Sequence, residues 1–364
     1  MKINKVDIRF YSVPRRVPIT NGKYTYKTAN ALVIQIFTDE GPSGIGWANA
    51  NEIGVATAKQ MEPLLIGEDP LNVDRIWEKL YLPKIFGRKG PTIKAQSAID
   101  VALWDLRGKV FNVPLYKLLG GFRNEVPVYI AGGYYQVGKS NADLVKEMEA
   151  NLAKGVKVMK MKIGAVPIPE DLKRIEEVLK VVDGKAQVMV DANNAYSRID
   201  ALKMGYELDK IGSSIYWFEE PISCDDIEGH TILSAKLRTP IAIGENSYTR
   251  YEFKDLLEAR AASILNADAL VLGGITEWKK VADLAAAYNI PIAPHGSQEI
   301  HVSLVASIPN GLIVEYYDSN TNELRDRIFR NRLKLNPNGT VSPFEGPGLG
   351  LEFDFDAMEQ YRVC

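Results

Sequence analysis

Six charged residues recur at near-regular intervals through the second half of the chain, and each closes a short apolar run. They are separated in turn by 29, 28, 26, 23 and 27 residues. The six are Lys162, Asp191, Glu219, Glu245, Asp268 and His295. One βα unit has about this length, and in a parallel barrel the carboxyl ends of all strands meet on one face. The spacing therefore predicts that these side chains surround one pocket, which has the composition of a metal-assisted acid/base site.

Three of the six, Asp191, Glu219 and Glu245, end successive predicted strands. Three hard oxygen ligands suit Mg²⁺, and three converging anions would repel one another strongly without a cation. Glu220 follows Glu219 directly, and because successive strand residues point to opposite faces, only one of the two can point into the pocket. The alternative is that these carboxylates pair with lysines and arginines on neighbouring helices.

Two lysines, Lys160 and Lys162, lie two residues apart on one predicted strand, so both side chains project into the barrel interior. A lysine held beside a dication and a second lysine is expected to have a lowered pKa, and it can then act as a general base. The alternative is that one lysine forms an ion pair and the other extends its ammonium group into solvent.

One histidine of three, His295, ends a predicted strand, whereas His230 and His301 fall in helical contexts typical of surface or core histidines. Asp268 ends the preceding strand and is predicted to hydrogen-bond the His295 imidazole, which fixes its tautomer and raises its basicity. Glu315 ends the eighth predicted strand and completes the ring, as a hydrogen-bond donor if protonated or otherwise as an acceptor.

The elements that must position these residues are eight apolar runs that alternate with helix-length amphipathic segments from Val126 onward. This pattern predicts an α/β fold, a (β/α)₈ TIM-type barrel, in preference to an open doubly wound sheet. The runs are VPVYIA, VKVMKMK, QVMVD, SIYWFE, PIAIGE, SILNAD, IPIAPH and GLIVE, the last at 311–315.

The segment before the barrel has a different pattern, with strands predicted over 3–10 and 31–37, a polar loop between them, and three helices after them. It is predicted to form an N-terminal α+β capping domain. We predict three parts: a capping domain over 1–122, the catalytic barrel over 123–329, and a C-terminal tail over 330–364 that returns to the capping domain.

Composition narrows the possible partners. The 364 residues include 44 Lys and Arg against 46 Asp and Glu, a net charge of -2 that does not favour nucleic acid. No apolar run approaches the roughly 18 to 20 residues that span a membrane, and MKINKVDIRF lacks the apolar segment of a signal peptide. We expect a soluble cytoplasmic protein with no nucleic-acid or membrane partner. Its two cysteines are too few for a disulfide framework.

The site motifs together resemble the mandelate racemase subgroup of the enolase superfamily, and the resemblance covers nearly the whole chain. AIDVALWDLRGK at 98–109 and the closing PGLGLEFD resemble the same family outside the site. The site motifs are KMK at 160–162, DAN at 191–193, WFEEP at 217–221, GEN at 244–246, Asp268 and PHGSQE at 294–299.

The resemblance implies roles for the strand-end residues. The three carboxylates would bind Mg²⁺, and Lys162 would abstract a proton next to a carboxylate. Asp268 and His295 would form the opposite acid/base dyad. The resemblance also implies a homo-oligomer.

Three further roles follow from the resemblance alone. Lys160 would help to bind the substrate carboxylate, Glu315 would hydrogen-bond the enolate oxygen, and Asn193 would lie beside the site. Within the subgroup, the tail and the HGSQEIHVSLV stretch look most similar to sugar-acid dehydratases and cycloisomerases.

The predicted reaction begins with a carbon-bound proton that is a very weak acid, so its removal requires a dication to stabilise the enolate. If His295 then protonates a leaving β-hydroxyl, the product is a 2-keto-3-deoxy sugar acid. The alternative is cycloisomerisation or racemisation through the same intermediate. A remote alternative is a non-catalytic barrel that binds sugar acids, which would need neither base.

Substrate choice is expected to come from the capping domain, through segments 20–28 and 48–54, which would close over the barrel mouth. Polar and aromatic residues there could contact sugar hydroxyls. The candidate substrate-binding residues are Tyr24, Tyr26, Asn51 and Glu52, with Asn49 and Arg88 as further candidates.

Overall fold

The computed structural model describes residues 1–318 and 323–364. It contains an antiparallel sheet of three strands in sequence order and a parallel barrel. The sheet strands are β1 Ile3–Thr20, β2 Thr25–Thr38 and β3 Ser43–Ala48. The remaining strands are β4 Val126–Ala131, β5 Val158–Lys162, β6 Gln187–Asp191, β7 Ile215–Glu219, β8 Ile241–Ile243, β9 Ile264–Leu265, β10 Val314–Tyr316 and β11 Thr340–Val341.

Helices cover the sheet, surround the barrel and end the chain. Before the barrel these are α1 Glu52–Leu65, α2 Val73–Leu80, α3 Pro83–Phe86, α4 Pro91–Phe111 and α5 Leu115–Leu118. Between barrel strands they are α6 Asn141–Leu152, α7 Ile168–Val182, α8 Arg198–Ile211, α9 Ile227–Lys236, α10 Thr249–Glu258, α11 Ala269–Leu272, α12 Ile275–Ala287 and α13 Gln298–Ser307. The tail has α14 Arg325–Ile328 and α15 Phe355–Met358, and short 3₁₀ helices occupy Gly212–Ser214 and Glu359–Tyr361. None of the described helices has the length and apolar composition required to cross a bilayer.

The barrel closes on itself as the sequence predicts. Each strand from β4 to β9 pairs in parallel with the next, and β10 pairs in parallel with β4. Between β9 and β10, Ile292 forms parallel bridges to Leu265 and Gly311. The predicted seventh strand, IPIAPH, is thus reduced to bridging residues, because Pro291 and Pro294 have no N–H to donate to a ladder.

The strands of the N-terminal hairpin are longer than predicted. β1 continues to Thr20 and β2 begins at Thr25, so most of the segment predicted as a polar loop is strand. The hairpin tip lies on the barrel mouth, where Thr20 and Tyr135 exchange backbone N–H···O bonds of 2.9 Å. A Cβ on Gly22 would lie only 2.3 Å from the Ala192 carbonyl oxygen, so this approach requires glycine.

A buried hydrogen-bond network joins the capping helices to the start of α12 and the turn before it. The Trp77 indole donates to the Gly273 carbonyl at 2.7 Å. Asp100 on α4 accepts from the Thr276 backbone N–H at 2.9 Å and from its hydroxyl at 2.6 Å. The Trp104 indole donates to the same hydroxyl oxygen at 2.8 Å. These contacts fix the capping domain against the barrel.

We expect Asp100→Ala to lower the free energy of unfolding by about 2 to 3 kcal/mol, because the change leaves two buried donors of Thr276 without an acceptor. Denaturant unfolding measures this loss. Asp255→Ala, at an exposed position on α10, is the matched control and should change stability by less than about 0.5 kcal/mol. Equal stability of the two variants would contradict the assignment of this network.

The tail touches both the capping sheet and the barrel. β11 pairs antiparallel with the start of β4, and Arg362 forms a bridge with Tyr11 of β1. Trp47 of the sheet packs edge-on against Phe353, with ring centres 5.5 Å apart. The last residues of the chain therefore contact both the capping sheet and β4, while the division into three parts, with boundaries at 122/123 and 329/330, stays a prediction.

Candidate active site

The carboxyl end of the barrel carries three carboxylates in one cluster: Asp191, Glu219 and Glu245. One oxygen from each lies within 4.8 Å of the other two. Trp217 donates its indole N–H to Glu219 at 2.9 Å, and the Asn193 backbone N–H donates to Asp191 at 2.9 Å. Within the described chain, Glu245 Oε2 is buried and has no hydrogen-bond partner. Three hard carboxylate ligands, with one buried Glu245 oxygen that has no hydrogen bond, fit Mg²⁺.

Lys160 lies beneath this cluster and is completely buried. Its Nζ is 2.8 Å from Glu219 Oε1, 2.8 Å from Glu315 Oε1 and 3.3 Å from Asp191 Oδ2. The side chain projects into the barrel interior as predicted, and these ion pairs compensate the cost of burying its charge. Lys160 does not belong to the lining of the cavity above.

Lys162 lines that cavity and donates a hydrogen bond to Asp191 Oδ2. Burial acts to lower the pKa of Lys162, but the attraction of Asp191 outweighs it and holds the pKa above its ordinary value. The two lysines on one strand predict a lowered pKa for Lys162 beside a dication. A dication bound by Asp191 would oppose the attraction that raises the pKa of Lys162. The raised pKa therefore refers to the cluster without a dication, and the lowered pKa to the cluster with one.

The carboxylates around the lysines differ in the direction of their pKa shifts. Burial and the charge of Asp191 raise the pKa of Glu219 to about 8. Burial has the same tendency at Glu315, but Lys160 and His295 outweigh it and lower its pKa to about 2. Glu315 also accepts a hydrogen bond from the Gly296 backbone N–H at 2.6 Å. Of the two roles left open for Glu315, its contact with Gly296 is that of an acceptor.

The predicted contact between Asp268 and His295 is present, with 3.0 Å between His295 Nδ1 and Asp268 Oδ2. The other ring nitrogen, Nε2, lies 3.6 Å from Glu245 Oε2 and 4.0 Å from Glu315 Oε2. Burial acts to lower the pKa of His295, but Glu245 and the Asp268 hydrogen bond raise it well above its ordinary value. His295 is thus held as a proton donor whose Nε2 faces the carboxylates.

His301 supports this dyad from behind, a contact that the sequence analysis missed. His301 Nε2 accepts from the Ala269 backbone N–H at 3.1 Å, and Nδ1 lies 3.0 Å from the Gly296 carbonyl oxygen. Because Nε2 accepts, Nδ1 must carry the proton, and burial lowers the pKa of His301 in agreement with a neutral ring. His301 therefore ties together the residues that follow Asp268 and His295.

Glu220 turns away from the pocket, as the alternation of strand side chains predicts. Its φ of 38° lies in the left-handed region, and its carboxylate accepts from Asn246 at 2.9 and 3.0 Å. Asn194 donates a third hydrogen bond at 2.6 Å. Glu220 therefore anchors two loops at the barrel end, and only Glu219 of the pair joins the carboxylate cluster.

A cavity of about 530 Å³ lies between the barrel end and the capping domain. Four of its floor residues are site residues predicted from spacing: Lys162, Glu245, Asp268 and His295. Asn193 also lines it, as the sequence analysis expects. The volume is typical of a site for a small molecule.

The capping residues chosen from the sequence divide into two groups. Tyr26 and Asn49 line the cavity, whereas Tyr24, Asn51, Glu52 and Arg88 lie outside its lining. The Asn51 side chain accepts from the backbone N–H groups of Ile53 and Gly54 and so caps α1. The cavity also has lining residues that sequence reasoning missed, namely Arg15, Lys27, Lys94, Tyr134, Tyr317 and Arg325.

Two family models match the chain. Residues 143–357 match the model described as Enolase C-terminal domain-like, and residues 4–120 match the Mandelate racemase / muconate lactonizing enzyme, N-terminal domain. Together they cover most of the capping domain, the barrel from α6 onward and much of the tail.

Several characterised proteins are similar over nearly their whole length. The arabinonate dehydratase of Saccharolobus solfataricus is 36% identical over 91% of this chain and 90% of that protein. The L-talarate/galactarate dehydratase of Salmonella typhimurium is 32% identical over 99% of this chain and 90% of that protein. Its crystal structure with Mg and L-lyxarohydroxamate has a TM-score of 0.92 over 100% of this chain and 93% of that chain, at 29% identity. The 3,6-anhydro-D-galactonate cycloisomerase of Zobellia galactanivorans has a TM-score of 0.89 at 31% identity, over 100% of both chains.

Proposed function

Because the chain belongs to the mandelate racemase / muconate lactonizing enzyme family of the enolase superfamily, we propose that it is a Mg²⁺-dependent sugar-acid dehydratase. The observation that carries the proposal is the arrangement at the cavity floor. Lys162 and His295 line the same cavity, next to three carboxylates that fit a dication. The similarity to an arabinonate dehydratase and an L-talarate/galactarate dehydratase supports the choice of reaction.

In this proposal Asp191, Glu219 and Glu245 hold Mg²⁺. The ion supplies positive charge that stabilises negative charge on the substrate carboxylate as the alpha proton leaves. The structures of relatives with bound Mg support this assignment. Asn193 donates its backbone N–H to Asp191 and its side-chain amide to Glu245 at 3.4 Å, and so orients two of the three ligands.

Lys162 Nζ takes the proton from the carbon alpha to the carboxylate, and the electron pair of that C–H bond forms the enolate. His295 Nε2–H then gives its proton to the β-hydroxyl as the carbon–oxygen bond breaks, and water leaves. The resulting enol becomes a 2-keto-3-deoxy acid. Asp268 stabilises the charged His295 before the transfer, which makes the imidazolium available as the acid.

Lys160 and Glu315 are proposed to border the substrate carboxylate from below. Their mutual ion pair of 2.8 Å places a positive charge under the carboxylate cluster. In the capping domain, Tyr26 is the proposed contact for a sugar hydroxyl, because it lines the cavity. For Tyr24, Asn51 and Glu52 the predicted substrate contact stays a prediction.

A second candidate function is cycloisomerisation or racemisation of a sugar acid through the same enolate, and the similarity to a cycloisomerase favours it. In that reaction His295 returns a proton to carbon and water is not lost. A protein that only bound sugar acids would have no use for a cavity-lining lysine opposite a histidine held by an aspartate.

Incubation of the purified protein with Mg²⁺ and a panel of aldonic and aldaric acids in D₂O tests the proposal. We expect a 2-keto acid from at least one acid, and an activity loss of at least about 100-fold with excess EDTA that Mg²⁺ restores. Products of unchanged mass apart from deuterium would favour the isomerase. Full activity in EDTA would contradict the metal assignment, and no change in any acid would contradict both functions.

We also propose that the chain forms a homo-oligomer and works in the cytoplasm. Light scattering of the purified protein tests the first proposal, and a monomer at micromolar concentration would contradict it. Cell fractionation tests the second.

A further inference from the structure

Lys94 lies in the first turn of α4, is partly buried and lines the cavity. Within the residues that the structure describes, its ammonium group has neither a hydrogen-bond partner nor a carboxylate within 4 Å. Lys94 lies outside the segments 20–28 and 48–54, which are expected to determine substrate specificity. Lys94 is thus a cation that faces the cavity from the capping domain and has no role in the reaction proposed above.

The other strongly basic side chains of the cavity lining either have a close counter-ion or are exposed to solvent. Arg325 pairs with Glu299, with 2.7 Å between Nε and Oε1. Arg15 lies 3.8 Å from Glu323, and Lys162 binds Asp191. Lys27 on β2 is exposed, so water solvates its charge. Lys94 alone combines partial burial with the lack of a close counter-ion in the described part of the lining.

The nearest compensating charges are already committed to other contacts. Asp268 and Glu245 attract the Lys94 ammonium at longer range, while burial outweighs them and lowers the pKa of Lys94. Asp268 is bound to His295, and Glu245 is a proposed Mg²⁺ ligand. An ammonium group that is withdrawn from water and lacks a close anion carries a desolvation cost that an anionic ligand group can offset.

We propose that Lys94 binds a second carboxylate of the substrate, so that the enzyme prefers aldaric acids, which carry a carboxylate at each end, to aldonic acids. One carboxylate lies at the metal cluster on the cavity floor, and the other reaches Lys94 on the capping side. The inference rests on the proposed function and deepens it by naming the substrate class.

Matched pairs of acids that differ only in the second carboxylate test the proposal. Examples are galactarate with galactonate, glucarate with gluconate, and xylarate with xylonate. We expect the wild-type protein to have the higher kcat/KM for the aldarate of at least one pair. Lys94→Met should lower kcat/KM for that aldarate by about 10- to 100-fold, mainly through KM, because the variant loses a charge-assisted hydrogen bond to the second carboxylate.

The loss for the matched aldonate should be at least about tenfold smaller, because it has no carboxylate for Lys94 to bind. Lys94→Arg should retain most of the aldarate preference. Lys59→Met, an exposed lysine on α1 outside the cavity lining, makes the same charge change and should leave the preference unaltered.

Binding in the Lys162→Ala background separates this inference from turnover. Calorimetry with Mg²⁺ and each acid should show weaker aldarate binding when Lys94→Met is added. A wild-type preference for aldonates in every pair would overturn the inference, as would equal losses for both members of a pair. Loss of the aldarate preference in Lys27→Met, together with its retention in Lys94→Met, would also overturn the inference. In each of these cases a 2-keto acid still forms, whereas its absence with every acid overturns the proposed function itself.

Discussion

Lys162→Ala is expected to lower kcat by at least about 1,000-fold while the protein still binds Mg²⁺. Lys162 is the amine that lines the cavity beside the proposed substrate carboxylate, and general-base catalysis by one side chain contributes about 10²- to 10⁴-fold. Its ammonium group also binds Asp191, a proposed metal ligand. Its removal takes positive charge away from that carboxylate, so Mg²⁺ affinity should stay the same or increase slightly.

Turnover and calorimetric Mg²⁺ titration on the same preparation measure the two effects separately. Lys157→Ala is the matched control, because Lys157 directly precedes β5 and is exposed. That variant should retain full activity. Normal turnover in Lys162→Ala would rule out the base assignment, and lost Mg²⁺ binding would show that the lysine acts through the metal site instead.

His295→Asn is expected to slow product formation by about 10²- to 10⁴-fold. Proton exchange at the alpha carbon is expected to continue. An asparagine amide can still donate a hydrogen bond to Asp268, while the positive charge and the transferable proton of the imidazolium are lost. Lys162 remains in place and continues to remove and return the alpha proton.

Deuterium incorporation into unreacted substrate, followed by NMR in D₂O with Mg²⁺, distinguishes the two variants. His295→Asn should incorporate deuterium without forming product, and Lys162→Ala should do neither. The retained exchange also shows that the histidine variant is folded. If His295→Asn forms product at the wild-type rate, or if exchange and product disappear together, the division of roles between the two residues is wrong.

The barrel could be predicted because its strand and helix lengths produce a regular pattern along the chain. The predicted seventh strand, IPIAPH, is not a regular strand because its prolines lack the N–H groups that a ladder requires. Ile292 still forms bridges to Leu265 on β9 and to Gly311 at the start of the eighth apolar run. The hairpin was predicted too short because its polar tip has the composition of a loop. Its strands are held by contact with the barrel at Tyr135, a long-range contact that local composition does not report.

The site could be predicted where barrel topology converts regular spacing into proximity, and this holds for the carboxylate cluster and the dyad. Residues on helices do not recur at a spacing that predicts which of them reach the site. Lys94 and His301 reach the site because α4 and α13 pack against the barrel end, and their sequence positions do not indicate it. Asn51 was chosen for its side-chain type. Its amide oxygen caps α1, a local role that composition alone does not indicate, and its substrate contact stays a prediction.

The charged groups beneath the cavity set the charge that a bound metal ion would have to balance. Four carboxylates, those of Asp191, Glu219, Glu245 and Glu315, share the barrel end with the two ammonium groups of Lys160 and Lys162, so full ionisation leaves two negative charges. A divalent ion makes this set neutral, whereas a monovalent or trivalent ion does not. The lysines thereby contribute to the choice of ion. When Lys162 gives up its proton to become a base, the neutral set acquires one negative charge, and capture of the substrate proton restores neutrality.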